Sequence, residues 1–314
     1  MTTGDTAILA DDLGPASRST QPRAEGRAGV FLGLTRPRLG TLGMVTVLFC
    51  YLLALSTPGA PLRLLGLSSL VVGGALALAG ASALNQWLER RPDGLMRRTA
   101  GRPLPTGRIT PRAAGLFGLL LSLGGLAILA AGVGLPTAGW TLAGILSYSL
   151  VYTPLKQRSS LNTLVGALPG AIPALMGWSA GRPLDADAWV IFGVLALWQV
   201  PHFLAVAWMY RADYSRAGFQ MLGAGDRGGD SLGRQSTLFA LAILPACLLL
   251  LARGFAGPVY GAGALALGLY FLAASRRLQA EPSPANARRL LRASVIFLPL
   301  FFVVLILDRL LLAH

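Results

Sequence analysis

Charged residues are scarce in this sequence. Of its 314 residues, 13% are charged and 54% are hydrophobic, and the mean hydropathy is +0.61. A soluble globular domain carries about 25% charged residues. The shortage excludes a large soluble domain. Together with long apolar runs that recur to the C-terminus, it predicts an all-α, polytopic membrane protein.

Cysteine, histidine and lysine are also nearly absent. Cys50 and Cys247 both lie in apolar runs, which argues against a disulfide or a thiolate metal site. His202 is the one histidine inside the chain, because His314 is the last residue. Lys156 is the single lysine beside 26 arginines. In so arginine-rich a chain, this lone compact ammonium group is a candidate for a specific role.

The N-terminal segment has no long apolar run. It lacks the apolar core of a signal peptide, and its Ser, Thr, Gly and Arg content predicts a disordered tail over residues 1–35. Residues 36–314 are expected to form one transmembrane domain. We expect nine apolar segments, at about 39–57, 64–88, 113–132, 138–155, 161–180, 188–210, 236–252, 258–275 and 291–312.

The basic residues divide unequally between the two sides of this arrangement. One set of connections carries 23 of them. The opposite set carries four, Arg63, Arg182, Arg253 and Arg309. This asymmetry predicts an inner-membrane protein whose N-terminus and long loops 89–112 and 211–235 are cytoplasmic and whose C-terminus is outside. Because the charge lies between apolar segments rather than on one soluble face, the net charge of +14 does not indicate nucleic-acid binding.

Residues 85–108 combine acids with arginines. Asn85, Glu89 and Asp93 recur at every fourth residue, so a helix places them on one face, although Pro92 predicts that the helix bends or ends nearby. Their oxygens suit Mg²⁺ at the end of a membrane helix. An arginine-rich loop that serves only as a topology signal is the alternative. The regular carboxylates favour a diphosphate site, because arginines that suit phosphate oxygens follow at Arg97, Arg98 and Arg102.

Three further places carry polar residues beside apolar segments. Asp213 and Arg216 follow the sixth segment, where they either complete the metal and phosphate site or form a solvated helix end. Lys156 either neutralises a leaving diphosphate or adds to the topology charge. His202, within the sixth segment, is either a hydrogen-bonded core residue or a ligand.

At these residues the sequence resembles the UbiA superfamily of membrane prenyltransferases, and most closely the heme O synthase family within it. The resemblance covers about residues 30–312. Besides the Asn-Glu-Asp motif, the matching blocks lie at 97–108, 152–156 and 170–178. Pro201-His202-Phe203 and Asp213-Tyr214 stand where quinone-type members have a second Asp-rich motif. The chain departs from the family's usual residues at Gly101, Ala212, Gln220 and Gly223.

The resemblance implies a bundle of about nine transmembrane helices that transfers the farnesyl group of farnesyl diphosphate to a vinyl group of heme B. It implies that His202 contacts the heme, as an axial iron ligand or as a donor. Mg²⁺ would be held by Asn85, Glu89, Asp93 and Asp213, and these residues with Lys156 would be catalytic. The diphosphate would be bound by Arg97, Arg98, Arg102, Tyr152, Lys156, Asn162 and Arg216.

The implied partners are farnesyl diphosphate, heme B, the lipid bilayer and a heme A synthase. Two alternatives stay open. The first is prenyl transfer to a quinone or another aromatic precursor, and the pattern of His202 and Asp213 argues against it. The second is a heme-handling transporter without chemistry, for which acids along a path through the bilayer are expected rather than acids gathered at one face.

Overall fold

The computed structural model describes residues 26–56, 64–222 and 229–312, and these ranges contain helices and no strand. The predicted all-α class is therefore confirmed. The helices are α1 (Arg27–Thr35), α2 (Pro37–Leu55), α3 (Leu64–Leu88), α4 (Arg90–Leu95), α5 (Pro111–Gly132), α6 (Leu135–Leu146), α7 (Thr153–Leu155), α8 (Asn162–Gly181), α9 (Ala186–Met209), α10 (Arg211–Arg216), α11 (Asp230–Ala252), α12 (Pro258–Ala280) and α13 (Pro284–Leu312).

Eight helices in the described ranges are long and apolar enough to cross a membrane: α2, α3, α5, α8, α9, α11, α12 and α13. The remaining predicted segment, 138–155, falls on α6, α7 and a π-helical turn, Ser147–Tyr152, between them. The wider turn has a local cause. Pro154 has no backbone N–H, and the Oγ of the preceding Thr153 donates to the carbonyl of Tyr148, five residues back, at 2.8 Å.

The predicted disordered tail is wrong for residues 27–35, because they form α1. Val30 and Leu34 are buried on one face of this helix. Gln86 of α3 donates from Nε2 to the carbonyls of Gly33 and Leu34, at 3.1 and 2.8 Å. Packing against α3 thus orders a segment whose composition resembles a tail. The first 25 residues of the predicted tail lie outside the described ranges.

Glycines bring α3 and α5 into backbone contact. A Cβ added at Gly125 would lie 2.5 Å from the carbonyl oxygen of Gly73, and one added at Gly80 would lie 2.6 Å from the backbone nitrogen of Ser122. Small residues at such positions allow membrane helices to pack closely. The contact fixes α3 along its length and so positions the acids at its end.

Candidate active site

The polar residues Asn85, Glu89 and Asp93 keep their four-residue helical spacing across the end of α3. The backbone N–H of Glu89 donates to the carbonyl of Asn85 at 2.9 Å, and that of Asp93 donates to the carbonyl of Glu89 at 2.8 Å. Helical hydrogen bonding therefore crosses the boundary between α3 and α4, despite Pro92. The three polar residues are 1%, 5% and 0% exposed. Buried acids need partners, and the connections on either side provide them.

Glu89 is paired with Lys156. The Nζ atom of Lys156 lies 2.6 Å from Oε1 of Glu89 and 4.5 Å from the ring centroid of Tyr152. Burial acts to lower the pKa of Lys156, but the Glu89 carboxylate together with Tyr152 and Tyr148 outweighs it, and the net pKa is raised. The single lysine of the chain is therefore a fixed positive charge between a carboxylate and an aromatic ring.

Asp93 is paired with Arg102. Nη1 of Arg102 lies 2.6 Å from both carboxylate oxygens of Asp93. Burial raises the pKa of Asp93, and the guanidinium of Arg102 opposes this shift without reversing it. The pKa of Arg102 is lowered, first by burial and then by the nearby charge of Arg36. Two cations and a carboxylate thus share one poorly solvated region.

These pairs line one cavity, the polar cavity, whose empty volume is about 360 Å³ with its mouth included. Its lining residues are Arg36, Glu89, Asp93, Met96, Arg98, Arg102, Tyr152, Lys156, Tyr214, Phe219 and Met221. The structure therefore brings together five of the predicted polar residues, four from the connection between α3 and α5 and Lys156 from the connection after α7, together with Tyr152. Four positive side chains against two acids make the cavity suitable for a polyanion.

Arg36 was not among the predicted site residues. It lies between α1 and α2 in the left-handed region, with φ 46°, a conformation that costs energy for a residue with a Cβ. The sequence contains one indication of this position, because Pro37 directly follows and begins the next helix. Tyr214 and Phe219 were missed as well, because they reach the cavity from the connection after α9.

Other predicted residues lie beside the polar cavity and do not line it. Arg97 is exposed. Asp213 forms an ion pair with Arg216 and accepts the backbone N–H of Arg98 at 3.4 Å. Asn162 donates from Nδ2 to the carbonyls of Ser159 and Gln220, at 2.7 and 2.6 Å. Asp213 and Asn162 therefore hold loops in position around the cavity.

A second, apolar cavity begins where the polar one ends, and Tyr152 lines both. Its empty volume is about 1170 Å³ with its mouth included. Five glycines contribute to its wall and leave room that side chains would fill, Gly40, Gly43, Gly144, Gly166 and Gly170. A Cβ at Gly166 would lie 2.4 Å from the ring of Tyr152. Glycine at this position therefore lets the ring occupy the junction between the two cavities.

His202 lines neither of these two cavities. Its Nδ1 lies 2.8 Å from Oγ of Ser294 on α13, and its ring stacks on Trp198 at a centroid distance of 5.2 Å. The Ser294 hydroxyl donates its proton to the carbonyl of Leu291 at 2.7 Å. Because the Ser294 hydroxyl proton is used in that bond, Oγ of Ser294 accepts a hydrogen bond from Nδ1–H of His202. Nε2 of His202 is then unprotonated and keeps its lone pair.

The acids of the polar cavity are candidate ligands for a metal ion. Among the described residues, no three His, Cys, Asp or Glu side chains form a cluster that would hold a metal ion. However, Oδ1 of Asn85 is buried without a hydrogen-bond partner. Mg²⁺ takes only a few protein oxygens when substrate phosphates provide the rest. This free amide oxygen beside Glu89 and Asp93 fits such an ion, whereas Asp213 stays a predicted ligand.

The UbiA prenyltransferase family matches residues 43–305. The protoheme IX farnesyltransferase of Solibacter usitatus is 41% identical over 286 residues, which cover 89% of this chain and 98% of that protein. The protoheme IX farnesyltransferase of Opitutus terrae is 43% identical over 294 residues, covering 93% and 98%.

Solved structures share the fold at lower identity. A digeranylgeranylglyceryl phosphate synthase has a TM-score of 0.75 at 16% identity, covering 90% of this chain and 98% of that one. A UbiA homolog from Archaeoglobus fulgidus bound to DMAPP and Mg²⁺ has a TM-score of 0.66 at 18% identity, covering 88% and 98%. From the match over most of its length, and from relatives about two-fifths identical over nearly their whole length, the chain belongs to the UbiA prenyltransferase family, among the protoheme IX farnesyltransferases.

Proposed function

We propose that this protein transfers the farnesyl group of farnesyl diphosphate to a vinyl group of heme B, which gives heme O. One observation carries the proposal: Tyr152 lies where the cationic polar cavity meets the glycine-lined apolar cavity. A substrate with a diphosphate head and an isoprenoid tail matches this pair of environments. The names of the relatives at about 40% identity support the choice of heme B as acceptor.

The polar cavity would promote loss of the diphosphate. When the C–O bond of farnesyl diphosphate breaks, both electrons stay with the departing oxygen, and negative charge grows there. Lys156 and Arg102 would stabilise that charge, together with Arg36 and Arg98 at the same cavity. These donors are already ordered, so little reorganisation is needed as the bond breaks.

Asn85, Glu89 and Asp93 would hold Mg²⁺, which when bound adds positive charge at the diphosphate. Glu89 and Asp93 each contact a cationic side chain in the structure. A diphosphate that draws Lys156 and Arg102 toward its own oxygens frees carboxylate oxygens for the ion. The same residues therefore serve the cavity with and without substrate.

The apolar cavity would hold the farnesyl tail and protect the allylic cation. Tyr148 and Tyr152 stack at a centroid distance of 5.6 Å and both line this cavity. Aromatic faces attract a cation without reacting with it. The π electrons of the heme vinyl group then form the new C–C bond. Water adds to the cation left on the vinyl group and loses a proton, which leaves the hydroxyl group of heme O.

His202 is the residue we assign to the heme. With Nδ1–H donated to Ser294, its Nε2 lone pair suits a bond to iron or acceptance of a hydrogen bond. Because His202 lies on the α13 side of α9 rather than at the diphosphate, the heme would approach from that side. A heme A synthase that accepts the product is the partner that fits this activity.

The chemistry is tested with purified protein in liposomes, given farnesyl diphosphate, Mg²⁺ and heme B. Mass spectrometry of the extracted hemes should show the mass of heme B plus one farnesyl group and one hydroxyl group. 4-Hydroxybenzoate in place of heme should give no prenylated product. Prenylation of 4-hydroxybenzoate with no heme O would favour the quinone alternative, and neither product with intact heme transport would favour a transporter.

We also infer that the polar cavity faces the cytoplasm of the inner membrane. The unequal charge of the two sides supports this orientation. Ala100→Cys lies in the loop after α4 and Pro183→Cys lies in the opposite connection between α8 and α9. The native cysteines are buried, so they should not interfere. A membrane-impermeant maleimide added outside should label only Pro183→Cys, and the reverse labelling would invert the topology.

A further inference from the structure

A second basic site lies between α12 and α13, and it shares no lining residue with the polar cavity. This basic groove has an empty volume of about 780 Å³ with its mouth included. Its lining includes Tyr270, Ala273, Arg277, Arg289, Arg292 and Ile296. Three arginines from two helices therefore converge on one groove that the prenyl-transfer site does not use.

The basic end of the groove is held in place by Asn286, which is 4% exposed. Its Nδ2 donates to the carbonyls of Arg277 and Glu281, at 3.4 and 2.9 Å, and so ties the end of α12 to the beginning of α13. Its Oδ1 accepts from Nη1 of Arg289 at 3.0 Å. One buried amide thus positions both helix ends and one of the arginines.

The groove changes from basic to apolar with depth. Tyr270 precedes Arg277 by two turns of α12, and Ile296 follows Arg289 by two turns of α13. Two turns correspond to about 10 Å along each helix. Both residues are about half exposed on the outer surface of the bundle, at 48% and 44%. The groove therefore has a charged end and an apolar wall that begins about one turn from Arg292 and two turns from Arg277 and Arg289.

The arginines of the groove are not neutralised by the protein. Within the described residues, no carboxylate lies within 4 Å of Arg277, Arg289 or Arg292 in an ion pair. Glu281, in the turn beside them, does not line the groove. Basic residues that serve only to set the membrane topology need not converge on one groove. Arg276 and Arg288, which also belong to these helix ends, do not line the groove.

We propose that the basic groove binds one anionic phospholipid, with its phosphate on Arg277, Arg289 and Arg292 and an acyl chain along Tyr270 and Ile296. The guanidinium fork matches phosphate oxygens. The apolar wall lies one to two helical turns from the arginines, where the acyl chain of a lipid held by its phosphate would run, and basic pockets between membrane helices are typical sites for anionic headgroups. A soluble phosphate compound would leave this wall without a partner.

The test uses native mass spectrometry of the whole protein in detergent, titrated with phosphatidylglycerol or phosphatidylcholine. Wild-type protein should hold one phosphatidylglycerol more tightly than phosphatidylcholine. Arg289→Gln with Arg292→Gln should weaken phosphatidylglycerol binding by roughly thirtyfold, because each arginine near an anionic lipid contributes about fivefold. The double variant Arg276→Gln with Arg288→Gln removes the same charge and should bind as the wild type does.

Three outcomes would overturn the proposal. Equal loss in both double variants would mean that general charge attraction holds the lipid. Displacement of phosphatidylglycerol by equimolar inorganic phosphate would mean that the apolar wall plays no part. Displacement by equimolar heme B would assign the groove to the porphyrin carboxylates. Circular dichroism of each variant checks that the helices are intact. Arg289→Lys with Arg292→Lys keeps the charge and should recover most of the phosphatidylglycerol binding.

Discussion

The two ends of the bundle carry the same kinds of ion pair in different surroundings. At the α3–α4 end, Glu89–Lys156 and Asp93–Arg102 are buried and line a common cavity. At the opposite end, the pair between Asp187 and Arg253 is closer to the surface, with the arginine side chain 42% exposed and the aspartate side chain 15% exposed. A pair with an exposed partner contributes about 0–1 kcal/mol, and this one lines neither the polar nor the apolar cavity.

Asp308 sharpens the contrast, because it is as deeply buried as the acids of the cavity, at 1% exposure. Its oxygens accept the backbone N–H groups of Gly257 and Tyr260 at the beginning of α12. These two hydrogen bonds cap the N-terminus of α12. Burial of an acid therefore does not identify a site in this protein. A site is identified instead by several charged side chains that converge on one accessible cavity.

The largest expected effect is at Glu89. Glu89→Gln removes the counter-charge of Lys156 and leaves the metal one neutral amide oxygen in place of a carboxylate, so heme O formation should fall by about 10²- to 10³-fold. Asp187→Asn, at the opposite end, removes an acid of an exposed pair and should change the rate less than about twofold. Turnover is measured in liposomes over a Mg²⁺ titration. Equal rates for the two variants would remove the distinction between the two ends.

The next effect separates two arginines of one loop. Arg102 is bonded to buried Asp93, whereas Arg97 is exposed outside the cavity lining. Arg102→Gln should lower kcat/KM for farnesyl diphosphate about tenfold or more, since a hydrogen bond to a charged group contributes about 1.5–3 kcal/mol. Arg97→Gln should stay within about twofold. A larger loss for Arg97→Gln would show that the loop closes over the diphosphate in a different arrangement.

The contrast between these residues also shows which features of the fold and the site can be predicted from the sequence alone. The long apolar runs predicted the helices, and the repeat of Asn85, Glu89 and Asp93 was readable because an i, i+4 relation is local. Arg36 and Tyr214 were missed because their approach depends on how distant connections fold together. The π-helical turn before Thr153 was missed because apolar periodicity does not distinguish i→i+4 from i→i+5 bonding. The arginines of a loop look alike in sequence, and only tertiary contact separates Arg102 from Arg97.

A smaller effect is expected at His202, which lies between the two ends. His202→Ala should weaken heme B binding about tenfold and leave farnesyl diphosphate binding unchanged, because the imidazole lies outside the polar cavity. Ser294→Ala keeps the ring but removes the acceptor for Nδ1–H. It should shift the Soret band of bound heme with a smaller loss of affinity. An unchanged Soret band and affinity in well-folded His202→Ala protein would exclude the histidine from the heme site.

The smallest effect on activity is expected at Asp308, where stability should change instead. Asp308→Ala leaves the N–H groups of Gly257 and Tyr260 buried without their acceptor. The free energy of unfolding should fall by about 1–3 kcal/mol for the lost partner. Because these bonds lie at the end opposite the polar cavity, kcat and KM should stay within about twofold below the unfolding temperature. Thermal unfolding followed by circular dichroism, with turnover on the same sample, separates the two quantities. A loss of turnover at a temperature where the variant is fully folded would mean that the opposite end is coupled to the active site.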